Sequence, residues 1–442
     1  MAYPMAAIGS ERGGIDLRSN ALGILFLFLT VATLATRQLV TPDLMNMLTS
    51  YSSEGGPFYE KFHLATYATV ALLLAILWSR PLAFADRDVA LFRSLVRYAA
   101  VMGGLAAYFV LIGRFSAIGF LVETYLAAVL AAILLLVQNE QARRIAATAM
   151  LFVLIASAIV AIGEVILQRR LMPFTEGEPV FRATGLSSHP LVLGAQCALA
   201  IGFVPLTRWP LWLKIVALFV LFIGCVAASA RVALMASTLE ILALILFLRW
   251  PNFPPRRELQ AKLIVLFFTL VLGAALAVLL LSVGLLSRFS SVVDTNSMAR
   301  VQIYEVFHYV SWKELLLGMN AADLLKIVNE KVGLEFIESA PVFIIMLMGL
   351  PMAIVFTIIL IGYFLRILRG TALAARIGAV IFLLIDMTNN ALATKTVDIL
   401  LLTVLVVGLR KATQAAPASA TTRQPAARAT TSYRSLPAGR SG

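Results

Sequence analysis

Apolar residues along this chain gather into long runs separated by short polar breaks. A helix needs about 20 apolar residues to cross a bilayer core. Runs of that kind fall near 21–40, 63–79, 95–113, 117–137, 145–167 and 189–206. Further runs fall near 211–229, 232–248, 262–286, 340–365, 373–392 and 397–410. The pattern predicts an all-α polytopic membrane protein with about 12 transmembrane helices. One break differs from the rest: residues 287–339 form a long polar excursion between two apolar runs. Within it Val301, Tyr304, Phe307 and Val310 recur at helical spacing, which predicts an amphipathic helix. Asn320, with Asp323 three positions on, is placed to cap a second helix. The excursion is thus a large helical loop, either a lid over the bundle mouth or a structured tie between two spans.

Composition agrees with the pattern. Of the 442 residues, 61% are hydrophobic and only 13% are charged, whereas soluble domains run near half apolar and a quarter charged. The net charge of +13 is therefore read by side of the bilayer, not as a nucleic-acid footprint. With both termini inside, most Lys and Arg fall on inner segments, as Arg80, Arg87, Arg93 and Arg97 do. The positive-inside rule then puts the excursion outside. The resulting map has a cytoplasmic N-terminus over 1–20, helices 1–9 over 21–286 and the large periplasmic loop over 287–339. Helices 10–12 follow over 340–410, then a basic Ala/Thr/Pro-rich tail over 411–442, expected to be disordered and cytoplasmic. The first apolar run is as long as a span and lacks a small-residue cleavage site, so a span is expected there instead of a signal peptide.

Many enzyme signatures are missing: there is no Walker A sequence, no HExxH, no GxSxG, and only 3 His. That argues against an ATP-driven pump and a multi-His metal site. Cys197 and Cys225 both lie in apolar runs and form neither zinc spacing nor a disulfide framework. An enzyme of this kind needs a substrate that carries its own energy. Basic residues gather at three outward-facing helix starts, where free N–H groups and the dipole favour anions. In the stretch from Phe181 to Pro190, Ser187 or Ser188 is placed to cap the next helix, and Arg182 and His189 stand beside it. In Ala228-Ser-Ala-Arg231, Ser229 is the expected cap, and Arg231 reads as either an interface anchor or an anion ligand. In the excursion, Arg288 precedes Arg300, Tyr304 and His308, whose i, i+4, i+8 spacing predicts one shared face. Glu338 opens the segment leading to Pro341; an acidic helix cap and a general base compete for it. Glu123, Glu164, Glu240, Asp386, Asn389, Asn390 and Asp398 lie in or at spans. With Lys395, some of these either extend the outer site or serve as interhelical glue. Three basic helix starts fit a substrate of concentrated negative charge such as a pyrophosphate, which Arg binds bidentately.

Arg182–Gly185 as RxTG before a His-Pro helix start, the Ser-Ala-Arg231 span start, and Arg300-Val-Gln-Ile-Tyr with a later Leu-Gly318 resemble the O-antigen ligase and Wzy-type polymerase superfamily of bacterial envelopes. The nearest likeness is to the exopolysaccharide polymerases of the VpsF-like group, over roughly residues 150–370. The resemblance implies a glycosyltransferase of the bacterial inner membrane whose site faces the periplasm and which needs no metal or other cofactor. Its donor would be a polyprenyl-pyrophosphate-linked oligosaccharide. Its other partners would be the lipid bilayer and polysaccharide export or chain-length proteins, with no nucleic acid. Carried over, Arg182, Arg231, His189 and Arg288 hold the pyrophosphate, and Arg300 closes from the loop. Glu338, or else His308, takes the acceptor's proton, with Tyr304, Asn389 and Asn390 near the sugars. O-antigen ligases carry a functional His where this chain has Glu338, which weighs against lipid A as acceptor. A ligase-type glycan transferase stays an alternative. So does a flippase or carrier, which should show related halves or helices broken at mid-membrane; neither is visible in the sequence.

Overall fold

A computed structural model describes residues 17–52, 57–79, 86–173, 181–250, 254–282 and 295–410. Arg288 and the tail 411–442 lie outside the described residues, as do residues 1–16. Every regular element among the described residues is helical. The chain runs through α1 (Leu17–Leu39), α2 (Pro42–Leu48), α3 (Leu64–Ser79) and α4 (Asp86–Leu111). Next come α5 (Phe115–Phe120) and α6 (Ala127–Leu136), joined by a π-helical turn over Leu121–Leu126. Then follow α7 (Glu140–Leu167), α8 (Pro190–Phe203), α9 (Leu211–Ala227), α10 (Arg231–Phe247) and α11 (Pro255–Ser282). The excursion carries α12 (Thr295–Gln302), α13 (Trp312–Leu317) and α14 (Ala321–Ile327). The chain closes with α15 (Ala340–Met348), α16 (Leu350–Leu368), α17 (Leu373–Met387) and α18 (Asp398–Gly408).

Among the described residues, helix covers most of each apolar run. Among the described residues, five helical stretches are long and apolar enough to cross a membrane: Ala21–Leu39, Asp88–Leu111, Ala117–Leu136, Glu140–Leu167 and Leu350–Leu368. α3, α9 and α18 are apolar but shorter, as is the stretch Pro190–Leu206. Large apolar side chains such as Phe28, Leu74, Phe219, Phe267 and Ile358 stand exposed along the helices. A lipid bilayer is the solvent that suits such surfaces.

α8 is the buried centre, packed against α7, α9, α10 and α17. Small residues let these backbones approach: Gly194 rests on Ala230 and Ala233, and Gly224 on Ala158 and Cys197. At the crossing of α8 with α17, Gly202 meets Gly378, where a Cβ on Gly202 would lie 2.5 Å from the Gly378 Cα. Close packing of this kind replaces the missing hydrophobic drive between helices in lipid.

Two expectations change. The run near 340–365 is a broken helix, because Gly349 takes φ 82° between α15 and α16. Only glycine enters that region without strain. A break strips carbonyls of their helical partners, and here the excursion supplies one replacement: the Met319 N–H donates to Met346 O at 2.7 Å. Arg114 Nη1 donates to Leu347 O at 3.2 Å. Gly318, also at positive φ (78°), packs its backbone directly on Gly349. The second change concerns the amphipathic helix. The backbone tightens from α to 3₁₀ over Ile303–His308, so the apolar phase shifts. Ile303 and Val306 are buried, whereas Val301 and Tyr304 are exposed. Arg300, Tyr304 and His308 therefore do not share one face. Ile303, Val306, Leu324, Val328 and Val332 form a small core with Val342 and Met346 of α15. Residues 295–339 form a folded layer docked on the broken helix.

Candidate functional site

The RxTG stretch is built on Glu164, near the C-terminal end of α7. Its carboxylate is buried and accepts three backbone N–H groups: Thr184 at 2.9 Å, Gly185 at 2.8 Å and Leu171 at 2.7 Å. Leu186 N donates to Ser157 Oγ at 3.0 Å, fixing the turn at Gly185. Arg182 is buried within this frame; its Nε donates to Ala228 O at 3.2 Å. Ala183 N donates to Ala227 O, so the stretch is pinned to the turn between α9 and α10. Arg231 is the first residue of α10. Capping differs from the expected pattern at both helix starts. His189, not a serine, is the N-cap of α8, its Nδ1 accepting from Leu191 N at 3.1 Å. Ser187 Oγ instead donates to Gln196 Oε1 at 2.7 Å. Ser229 adopts a left-handed φ of 49° and Ala230 is the N-cap of α10, without a side-chain bond.

The second group lies where the excursion meets α15. Arg300 Nε donates to Glu338 Oε2 at 3.1 Å, and both side chains stay partly exposed. Glu338 is therefore an ion-pair partner instead of a cap; Ser339 holds the N-cap position. Tyr304 and His308 are exposed on the 3₁₀ turn. Asn320 precedes α14 as expected but makes no side-chain cap bond. It lines a polar cleft of about 520 Å³ with Arg114, Glu314, Asp323 and Lys326. The Asn389 side chain turns back on its own loop, accepting from Ala391 N at 2.7 Å. Asn390 O accepts from Thr394 Oγ1 at 3.1 Å. Both asparagines thus organise the turn that follows α17.

That turn, residues 388–397, reaches both groups. Asn389 O accepts from Ala340 N at the start of α15. At its other end, Lys395, Thr396 and Val397 line a narrow cleft with Ser187, Ser188 and Gln196 of the first group. Arg37 and Gln38, at the end of α1, complete the cleft. The π-helical turn presents Glu123, Thr124 and Tyr125 to the same region: Thr124 Oγ1 donates to Thr394 O, and Tyr125 OH to Leu392 O at 2.6 Å. Glu123 is fully buried and ion-pairs with Arg37 at 3.4 Å. Lys395 Nζ donates to Tyr51 O at 2.6 Å and to Lys61 O at 3.0 Å. Burial draws the Lys395 ammonium down to about 8, with Glu123 acting against the shift. Arg37 carries a cation that motif reading missed, and Lys395 is one that it read as either part of the outer site or interhelical glue. The signal of Arg37 was present: it is an ionisable residue near the end of an apolar run.

His63 buttresses this region. Its Nε2 donates to Val40 O at 2.9 Å and its Nδ1 accepts from Ala65 N at 3.1 Å, at the start of α3. Only the neutral imidazole makes both bonds. Burial, then the nearby Arg37 charge, lowers its titration to about 4 from 6.5. A depressed His favours the unfolded chain once protons bind there. Stability should fall as pH drops from 6.5 towards 4 and level off below, by on the order of 3 kcal/mol. Melting in detergent should show this fall in wild type and a flatter profile in His63→Asn, which keeps a capping oxygen without the titration. Parallel profiles would remove His63 as the cause.

No protein-family model, curated protein or solved structure matches this chain.

Proposed function

We propose that this protein is a membrane polymerase of the O-antigen ligase and Wzy-type superfamily, built on about 12 membrane-crossing helices. In this reading it joins polyprenyl-pyrophosphate-linked oligosaccharides on the periplasmic face of the bacterial inner membrane. The observation that carries the reading is the Arg300–Glu338 pair. The resemblance assigns one residue to the loop and the other to the start of the following span, 38 positions apart, and the fold brings them to 3.1 Å. The arrangement suits a displacement at an anomeric carbon. Glu338 takes the proton of the acceptor hydroxyl, and that oxygen bonds to the anomeric carbon of the growing chain. The bond from that carbon to the phosphate oxygen breaks, and its electrons leave on the polyprenyl pyrophosphate. Arg182 and Arg231 stabilise the departing charge. Arg300 exchanges Glu338 for the pyrophosphate as donor binds, which frees the carboxylate for its proton. The 520 Å³ polar cleft beside the excursion has room and hydrogen-bonding groups for acceptor sugars.

The helix break at Gly349 gives the transporter alternative one feature that the sequence did not reveal. The excursion that docks on that break, with its own core, favours a fixed site over a moving pathway. The lipid-linked intermediates of a deletion strain test the reading. Single repeat units on the outer leaflet are expected. Full-length polymer left on its carrier would assign ligation instead, and units trapped on the inner leaflet would assign flipping.

A further inference from the structure

In the cleft that joins the end of α1, the start of α8 and the turn after α17, motif reading marked the α8 start as an anion end and Lys395 as either part of the outer site or interhelical glue, and gave Arg37 no role. The chemistry of the cleft is specific. Arg37 is 3% exposed, and its Nε has no hydrogen-bond partner, although Nη2 reaches Thr396 O at 3.2 Å and the Glu123 carboxylate. A buried guanidinium N–H left unmatched costs free energy unless something occupies the space before it. Lys395 lines the same cleft, with its ammonium lodged against carbonyls and over the Tyr51 ring at 4.4 Å. Ser187, Ser188 and Val192 bring in the N-terminal turn of α8, whose dipole favours negative charge. Glu123 and Lys61 are the other charged neighbours, and Asp398 stands one side chain further, receiving Gln196 Nε2 at 3.0 Å.

We infer that this cleft binds a phosphate group of a lipid diphosphate, with Arg37 and Lys395 as its cationic ligands and the α8 N-terminus as its third wall. The inference rests on the polymerase reading and supplies residues that the resemblance did not. Ser187 and Ser188, which follow the RxTG stretch, line the cleft together with Arg37 at the end of α1. The free volume is only about 20 Å³, room for about one water. A phosphate is larger than that space, so its binding requires half-buried lining side chains, among them Ser188, Lys395 and Thr396, to move apart. An arriving anion would exchange the two neutral carbonyl acceptors of Lys395 for an ionic one.

The test uses the full-length protein in detergent with farnesyl diphosphate, inorganic diphosphate and phosphatidylglycerol micelles as probes, read by calorimetry. Arg37→Gln/Glu123→Gln removes the guanidinium together with its buried counter-charge, and Lys395→Gln serves as a second, independent variant. Farnesyl diphosphate should bind wild type and lose at least about tenfold in each variant. Inorganic diphosphate should compete for it. Unchanged affinity in both variants, with loss in Arg182→Lys and Arg231→Lys, would overturn the cleft while leaving the polymerase reading intact. If the variants lose phosphatidylglycerol but keep farnesyl diphosphate, the cleft is a phospholipid site and the inference fails. If wild type binds neither diphosphate and elongates no chain, the polymerase reading falls and the cleft assignment with it.

Discussion

Glu338→Gln is expected to slow chain elongation by about 10²–10⁴-fold, the range typical of general acid–base catalysis, while donor binding and folding persist. The structure sharpens that expectation in two ways. Glu338 makes its bond to Arg300 at a partly exposed position, and pairs of that kind are worth about 0–1 kcal/mol. Loss of the pair therefore leaves the excursion docked, held by the core around Ile303, Val306 and Leu324. A glutamine also preserves the shape and one acceptor oxygen, so Arg300 keeps a partner, yet it cannot take up the proton of an attacking hydroxyl. Purified protein with polyprenyl-pyrophosphate oligosaccharide would be scored for chain growth against bound donor. Near-normal growth would make Glu338 a latch for Arg300 and nothing more. The search for a base would then move to the exposed His308.

Removal of the Glu164 carboxylate should produce the largest structural loss. Glu164→Ala leaves the N–H groups of Thr184, Gly185 and Leu171 without their acceptor in a buried site. Hydrogen bonds to a charged group are worth about 1.5–3 kcal/mol each, and they are not additive when they share one acceptor. A loss of about 3–5 kcal/mol is expected, with Arg182 displaced because the RxTG stretch has lost its post. Glu164→Gln retains one acceptor oxygen and should recover part of it. Thermal melting in detergent orders the three proteins. Equal melting of wild type and Glu164→Ala would mean that Ser157 and the bonds to Ala227 and Ala228 suffice to hold the stretch.

The helical runs were legible because span-length apolar segments signal themselves residue by residue. Helix starts at Pro190, Arg231 and Ala340 followed from local punctuation. Capping was less legible. His189 and Ser229 depart from the serine rule because Gly185 and the turn after α9 fix backbone directions that no short motif reveals. The face of the excursion helix was misread for a related reason: periodicity assumes one helix type, and the chain changes to 3₁₀ at Ile303. Glu123, Glu164 and Asp398 stood out as acids in apolar runs, yet their partners were out of reach of sequence reading. Arg37 and Glu123 are 86 positions apart, and Lys395 and Tyr51 are 344 apart.

Alone, the sequence determined that this chain is helical and suited to lipid, since both follow from apolar run length and composition, which are local properties. It also determined which side chains bear charge near helix starts. Tertiary structure decided which of those charges meet: Arg300 with Glu338, Arg37 with Glu123, and the turn at 388–397 with two helix starts. The physical reason is range. A bilayer reads hydrophobicity one segment at a time, whereas an ion pair or a cleft exists only once glycine crossings such as Gly202 on Gly378 have set how closely the helices pack.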